Sequence, residues 1–281
     1  MKKLTVLLIA VFCGASATAH DFSAKYKGKK IYYNITSSVK PLTVEVTFKG
    51  EDSGHYYSGN VSIPRKVKYG GKRYSVTAIG EESFLFCSEL TSVIIPKSVT
   101  AIGKDAFWGC YNLTSINIPS SVVSIEDGVL TDCNGLTSIT IPNSITSIGR
   151  AFENCIGLTS VTIPNSVTSI KGFSFWGCYR LESISISNSI TSIEAGLFRD
   201  CRKLASIDIP NSIVSIGDWA FGNCTGLQEI TVNWEAPLSV SKSMFFEVDT
   251  QNIRLIIPNG TYELYSNAEV WKDFKIEEVG E

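Results

Sequence analysis

Histidine and methionine are nearly missing from this chain, with two of each in 281 residues. His20 and His55 both lie N-terminal to the patterned part of the sequence. A Ser-His-Asp or Cys-His arrangement would have to draw one of them into a pocket. Glycine-rich phosphate loops and His-x-x-x-His spacings are absent. Carboxylates are scattered, without the fixed couple that glycoside hydrolysis needs. The sequence therefore offers no catalytic, cofactor-binding or metal-binding residues, and a non-enzymatic protein is expected. Charge is scarce too: charged residues make up 19% and the formal net charge is −2. So small a balance gives no case for binding nucleic acid.

Long apolar runs are also lacking, and a membrane-spanning helix needs about 20 such residues. The best candidate, Leu4 to Cys13, is half that length. It follows Lys2-Lys3 and precedes the small residues Ala17-Thr18-Ala19. That order of charge, short apolar core and small residues reads as a secretory leader over 1–19. Phe12 is too bulky to precede a lipid-modified cysteine, so Cys13 reads as part of the apolar core. The expectation is an exported chain starting near His20, without a transmembrane segment. Loss of Lys2 and Lys3 takes its net charge to −4.

What is abundant is repetition, which overrides local patterns when present. After the leader, cysteines fall at 87, 110, 133, 155, 178, 201 and 224, spaced by 23, 23, 22, 23, 23 and 23 residues. Three residues after each comes a leucine, from Leu90 and Leu113 to Leu204 and Leu227. Three before comes Phe84, Phe107, Leu130, Phe152, Phe175, Phe198 or Phe221. An Ile-Pro pair recurs through Pro96, Pro119, Pro142, Pro164 and Pro210, while Ser187 interrupts that series. The short interval traces to one residue missing from Ile148-Gly-Arg-Ala-Phe152, compared with Ile102-Gly-Lys-Asp-Ala-Phe107.

One unit runs Leu136-Thr-Ser-Ile-Thr-Ile141-Pro142-Asn-Ser-Ile145-Thr-Ser-Ile148. Ile139 and Ile141 stand two apart and face one side of a short strand, with Ser138 and Thr140 on the other. Pro142 ends the strand because it has no N–H to donate. Ile145 and Ile148 turn inward again, and Phe152 and Cys155 fill the return side. Such a unit has too few inward apolar groups to offset the conformational entropy of ordering it. Stacked in register, like residues form continuous rows and each strand pairs with neighbours. Seven cysteines, one per unit, would lie in such a row. A buried ladder of free thiols is expected in preference to disulfides, and ligands strung along a line cannot surround a metal ion.

These units, typified by Leu158-Thr-Ser-Val-Thr-Ile-Pro164-Asn-Ser-Val-Thr-Ser-Ile170 with Phe175 and Cys178, resemble the BspA-type leucine-rich repeat. The segments Ile31-Tyr-Tyr-Asn-Ile35, Val44-Glu-Val46 and Val61-Ser-Ile-Pro64, with Gly71 to Val76, resemble the leading part of such proteins. Ile257-Pro258 to Tyr262 and Trp271-Lys-Asp-Phe274 resemble their closing part. The resemblance implies a bacterial surface or secreted protein that attaches to host or bacterial surface proteins or glycans. The expected fold is a β-rich solenoid of about seven coils of 22–23 residues over 76–231. A β-rich N-terminal cap over 20–75 and a small C-terminal cap over 232–281 complete it. The alternative role is a periplasmic or envelope scaffold without an external ligand.

Two surfaces are candidates for contact. The outward strand positions, Ser115/Asn117, Ser138/Thr140, Ser160/Thr162, Ser183/Ser185 and Ser206/Asp208, form a broad polar face. It either merely tolerates solvent or receives a glycan or polypeptide backbone. Trp108 with Tyr111, and Trp176 with Tyr179, are aromatic pairs three coils apart, about 14 Å by the strand spacing. They read as local packing or as two subsites for an extended ligand. The ends are oppositely charged: 20–75 carries 11 Lys/Arg and 4 Asp/Glu, and 235–281 carries 4 and 9. Solvated caps, docking of the basic cap on an acidic polymer or cell surface, and head-to-tail contact are the three readings.

Overall fold

The structure, a computed structural model, describes residues 20–50 and 56–279. Residues 1–19, expected as a leader and including Cys13, and His55 lie outside the described residues. Among those described, no helix is long and apolar enough to cross a membrane. The chain forms a β-solenoid of about nine turns, slightly more than the seven expected.

Each turn has three sides. The first is a row of parallel strands, including Leu90–Ile94, Ser115–Ile116, Ser138–Thr140, Ser160–Thr162, Ser183–Ser185, Ser206–Ile209 and Glu229–Val232. Their register is set by the repeat: Ser138 lies against Ser160 and Ser160 against Ser183, with Val161 against Ile184 between them. Val161, Ile184 and Ile207 are buried while the flanking Ser and Thr are exposed, as two-residue alternation requires. The second side is a narrower parallel ladder built from Ser-Ile dipeptides such as Ser124–Ile125, Ser147–Ile148 and Ser169–Ile170.

Between these two sides the chain turns at proline. The N–H of Ile145 donates to Pro142 O at 3.0 Å, and Val122, Val167 and Ile213 make the same closure. Ser187 keeps the turn where proline is lost, with a longer 3.4 Å bond from Ile190 N. Its buried hydroxyl donates to Val167 O, one coil back, at 3.0 Å. A polar residue in a proline site is thus satisfied internally.

The third, return side carries its own rungs. In the second cysteine coil, Asp105, Phe107 and Gly109 donate to Asp127, Val129 and Thr131 of the next coil at 3.1, 3.0 and 2.9 Å. Fitting three rungs into so tight a bend requires left-handed backbone just before each cysteine. Gly109, Asp132, Asn154, Gly177, Asp200 and Asn223 hold that place with φ between 54° and 73°. These are the residue types that enter the left-handed region at least cost. At Gly177 the demand is also spatial, because an added Cβ would lie 2.2 Å from Asn154 Oδ1.

Two rows fill the interior. Phe152, Phe175, Phe198 and Phe221 stack at 5.2, 5.9 and 5.6 Å between ring centroids. Beyond Leu130 the row resumes with Phe107 and Phe84 and ends against Tyr57, and on the other side it runs through Phe245 to Trp271 and Phe274. Beside it lie the seven cysteines, all buried and none joined in a disulfide. From Cys110 onward each Sγ–H donates to the carbonyl of the phenylalanine or leucine one coil back, at 3.1–3.3 Å. Cysteine therefore fills a narrow row and serves a second lone pair of a buried carbonyl. Burial pushes the thiols up, Cys155 and Cys224 to about 12.

The ends reuse the same ladder. Six strands precede the first cysteine: β1 (Phe22–Tyr26), β2 (Lys29–Ser37), β3 (Thr43–Thr47), β4 (Gly59–Ser62), β5 (Lys66–Tyr69) and β6 (Lys72–Ile79). Strand β4 pairs in parallel with Leu90–Ile94, so the strand row begins before residue 76. At the other end Arg254–Ile257 and Lys275–Glu278 add two more parallel strands beyond residue 231. A short helix, Tyr262–Asn267, and the buried Trp271 cover the last apolar row.

Two outcomes follow. Phe175→Ala removes a fully buried ring from mid-row and is expected to cost about 3–5 kcal/mol, readable by urea denaturation. The repeat thiols should be inert to a disulfide-exchange reagent in the native chain and react together in guanidinium. Stoichiometric labelling under native conditions would contradict the buried ladder.

Candidate functional site

Hydroxyl groups on a folded surface are either used by the backbone or left for something else, and this solenoid sorts them by position. Threonines at the coil corners are used: Thr114 donates to Thr91 O at 3.1 Å, Thr146 to Val123 O at 3.2 Å and Thr159 to Thr137 O at 3.2 Å. The strand hydroxyls of Ser115, Ser138, Thr140, Ser160, Thr162, Ser183, Ser185 and Ser206 are exposed. None of these eight makes a side-chain hydrogen bond among the described residues. Strand register aligns six of them in two columns, Ser138-Ser160-Ser183 and Thr140-Thr162-Ser185.

Two members of the expected face differ. Asn117 is exposed, yet its amide is fully engaged: Oδ1 accepts from Ile95 N at 2.8 Å and Nδ2 donates to Ile95 O at 2.9 Å. It closes the strand ladder where Pro119 follows, and sequence alone does not distinguish that use from a free polar group. Asp208 accepts from Asn233 Nδ2 at 3.2 Å, which leaves its other oxygen outward. Shallow depressions flank the columns, one beside Ser115 and Ser138, the other beside Ser185, Ser206 and Asp208.

The two aromatic units are not equivalent. Trp108 and Trp176 are half-buried, and each indole N–H donates to an aspartate one coil on, Asp132 at 2.8 Å and Asp200 at 3.2 Å. Trp176 lies between two guanidinium groups, Arg150 at 5.5 Å and Arg199 at 5.9 Å. Tyr179 is 41% exposed with Arg202 over its ring at 5.0 Å. Trp108 instead packs one side on Phe86 and borders a cleft of about 680 Å3.

That cleft comes from the missing residue. The short coil provides two return-side rungs, Phe152 N to Ser174 O and Asn154 N to Trp176 O, in place of three. Phe173 then forms the far wall and Arg150 fans over it at 5.3 Å. Arg150 Nε lies 2.6 Å from Glu153 Oε2, an ion pair by distance whose direction is off a hydrogen bond. Lys171 reaches back two coils to Asp127, with Nζ 2.9 Å from Oδ2. That bond, with the Arg150 N–H, holds the Asp127 carboxyl below the usual range against the opposing effect of burial. Asp105 is pushed the other way, by burial first and by the charge of Asp127 second.

The signs are opposite. Asp127 contributes stability above the ordinary carboxylate pKa, and that contribution is lost as pH falls through its depressed value. Asp105 carries a cost that is present above its raised pKa and disappears as pH falls through it. Asp105→Asn keeps a residue suited to the left-handed backbone at φ 54° and removes that charge. After solvent screening it should stabilise the chain at neutral pH by roughly a few tenths of a kcal/mol. The gain should vanish on acidification below the carboxylate range, measured by paired thermal melts across pH.

Known proteins agree with this geometry. The family model for the BspA-type leucine-rich repeat region matches residues 72–155 and 149–268, in six copies. A leucine-rich repeat protein from Bacteroides ovatus is similar, at 27% identity and TM-score 0.66, over 92% of this chain and 77% of that one. The T. pallidum leucine-rich repeat protein is 28% identical with TM-score 0.61, over 70% of this chain and 87% of its own. No match is found among curated proteins. Matched over more than half its length, with the repeat visible as stacked coils, the chain belongs to the BspA-type leucine-rich repeat family.

Proposed function

We propose that this chain is an exported, non-enzymatic binding protein of the adhesin kind. Its partner is a protein or glycan on a host or bacterial surface, received along the strand face. The family fits a binding or scaffold role and is generally non-enzymatic. One observation carries the choice of face: eight exposed hydroxyls, six of them in register, none used internally among the described residues, beside corner threonines that donate to the backbone. A column repeating at about 4.8 Å offers donors and acceptors to an extended chain at successive steps. Solenoids are suited to such contact because the face is long and does not depend on one pocket. The leader over 1–19 supports export.

Immobilised matrix proteins and a glycan array provide the test. Ser138→Arg with Ser160→Arg places two long cations in the column without touching the buried rows. The melting temperature should hold within about 2 °C, since exposed substitutions are close to neutral. Retention on whichever surface binds the parent chain should fall by about tenfold or more. Unchanged retention would move the contact off this face, and protection of the protein from protease added to intact cells would favour an internal envelope scaffold.

A further inference from the structure

The N-terminal cap gathers eleven lysines and arginines, and none of them forms an ion pair among the described residues. Beyond residue 75 half of the twelve do: Arg150, Lys171, Arg199, Arg202, Lys242 and Arg254 hold carboxylates. Within the cap, like charges even stand opposite one another across strands, Lys25 against Lys30 and Lys68 against Arg73. Such pairs are destabilising in themselves. The described cap acids are turned to internal use, with Asp21 accepting from Ile35 N at 2.6 Å and Glu45 from Asn34 at 3.4 Å.

The sheet arrangement concentrates this charge at one place. Strands run in the order β1-β2-β3-β6-β5, so β1 and β5 are its two unpaired edges. The sheet curls until those edges face each other, with the rings of Phe22 and Tyr69 stacked at 4.2 Å. The edges do not hydrogen-bond, and the seam holds a cleft of about 290 Å3 lined by Lys25, Lys66, Lys68, Tyr26, Tyr33 and Pro64. Tyr33 is fully buried, yet its hydroxyl has no hydrogen-bond partner among the described residues. A buried hydroxyl left unmade costs stability, and burial holds this phenol in its protonated, donating form.

Lysine on an exposed edge commonly guards against strand pairing. That accounts for Lys25, Lys66 and Lys68 as edge residues. It does not account for a partnerless phenol at the floor of the seam or for the opposed cations on β2 and β6. We propose that the β1/β5 seam is a binding site for an acidic polysaccharide. One carboxylated or sulfated sugar enters the cleft, accepts the Tyr33 hydroxyl and is flanked by the three lysines, while neighbouring sugars follow the basic edges. This site is separate from the strand face and does not depend on that reading.

The experiment titrates the full chain with heparin and with polygalacturonate, using neutral dextran as the reference. Binding to at least one polyanion is expected, falling steeply as salt rises because exposed charges are screened. Lys25→Glu with Lys66→Glu and Lys68→Glu should weaken it by about tenfold or more. Lys97→Glu with Lys104→Glu and Lys203→Glu makes the same change in net charge elsewhere and should shift affinity by less than about twofold. Tyr33→Phe leaves the charge alone and should preserve the melting temperature, since the hydroxyl has no partner to lose. It should weaken binding several-fold. Equal loss in both triple variants, or an unchanged affinity in Tyr33→Phe, would overturn the site. So would equal binding of poly-glutamate or of vesicles containing phosphatidylserine, which would reduce the cap to a general cation surface. Strand-face variants should leave polyanion binding intact.

Discussion

Everything in this molecule depends on one offset: a residue and its counterpart 22 or 23 positions later lie directly over one another and share backbone hydrogen bonds. The offset is enforced on three sides at once, by the strand row, the Ser-Ile ladder and the return-side rungs. No single side would suffice, since two- and three-residue strands have little stability in isolation. Because neighbours are identical in shape, side chains meet their own kind, phenylalanine on phenylalanine and thiol beside thiol. Stability then resides in interfaces between coils more than within any coil.

The same constraint explains the residue choices. Glycine, asparagine and aspartate alternate before the cysteines because the bend demands left-handed backbone there, and those three types supply it. Phenylalanine is tolerated in that conformation at Phe86 and Phe173, where its ring packs on the tryptophan of its own or the next coil. Deleting one residue does not break the stack, because two rungs still fix the register of the short coil. The vacancy appears on the outside, as the cleft beside Trp108, and Lys171 bridges across it.

Much of this was legible beforehand. Cysteine spacing alone placed the coils, and two-residue alternation separated buried Val161 and Ile184 from exposed Ser160 and Ser183. The strand ladder beyond both expected boundaries was less visible, because β4 and Lys275–Glu278 belong to it by pairing and not by sequence likeness. Side-chain use was least legible. Asn117 and Thr140 look alike as outward polar residues, but one is consumed by Ile95 and the other is free. Trp108 and Trp176 share the same local motif, yet the arginines that cover Trp176 come from adjacent coils at non-repeating positions. A repeat predicts what recurs; specificity is written in what does not.

The row of reduced thiols has a consequence for how such a chain is made. Before the coils stack, seven sulfhydryls hang on a mobile polymer, and any oxidant joins whichever two collide. Once stacked, every one of these sulfurs is buried, six of them bonded to a carbonyl of the preceding coil, and the same oxidant finds nothing to attack. Successful biogenesis in an oxidising environment is therefore a race that collapse has to win, and nearest-neighbour docking, which asks only adjacent segments to meet, is the quickest way to win it.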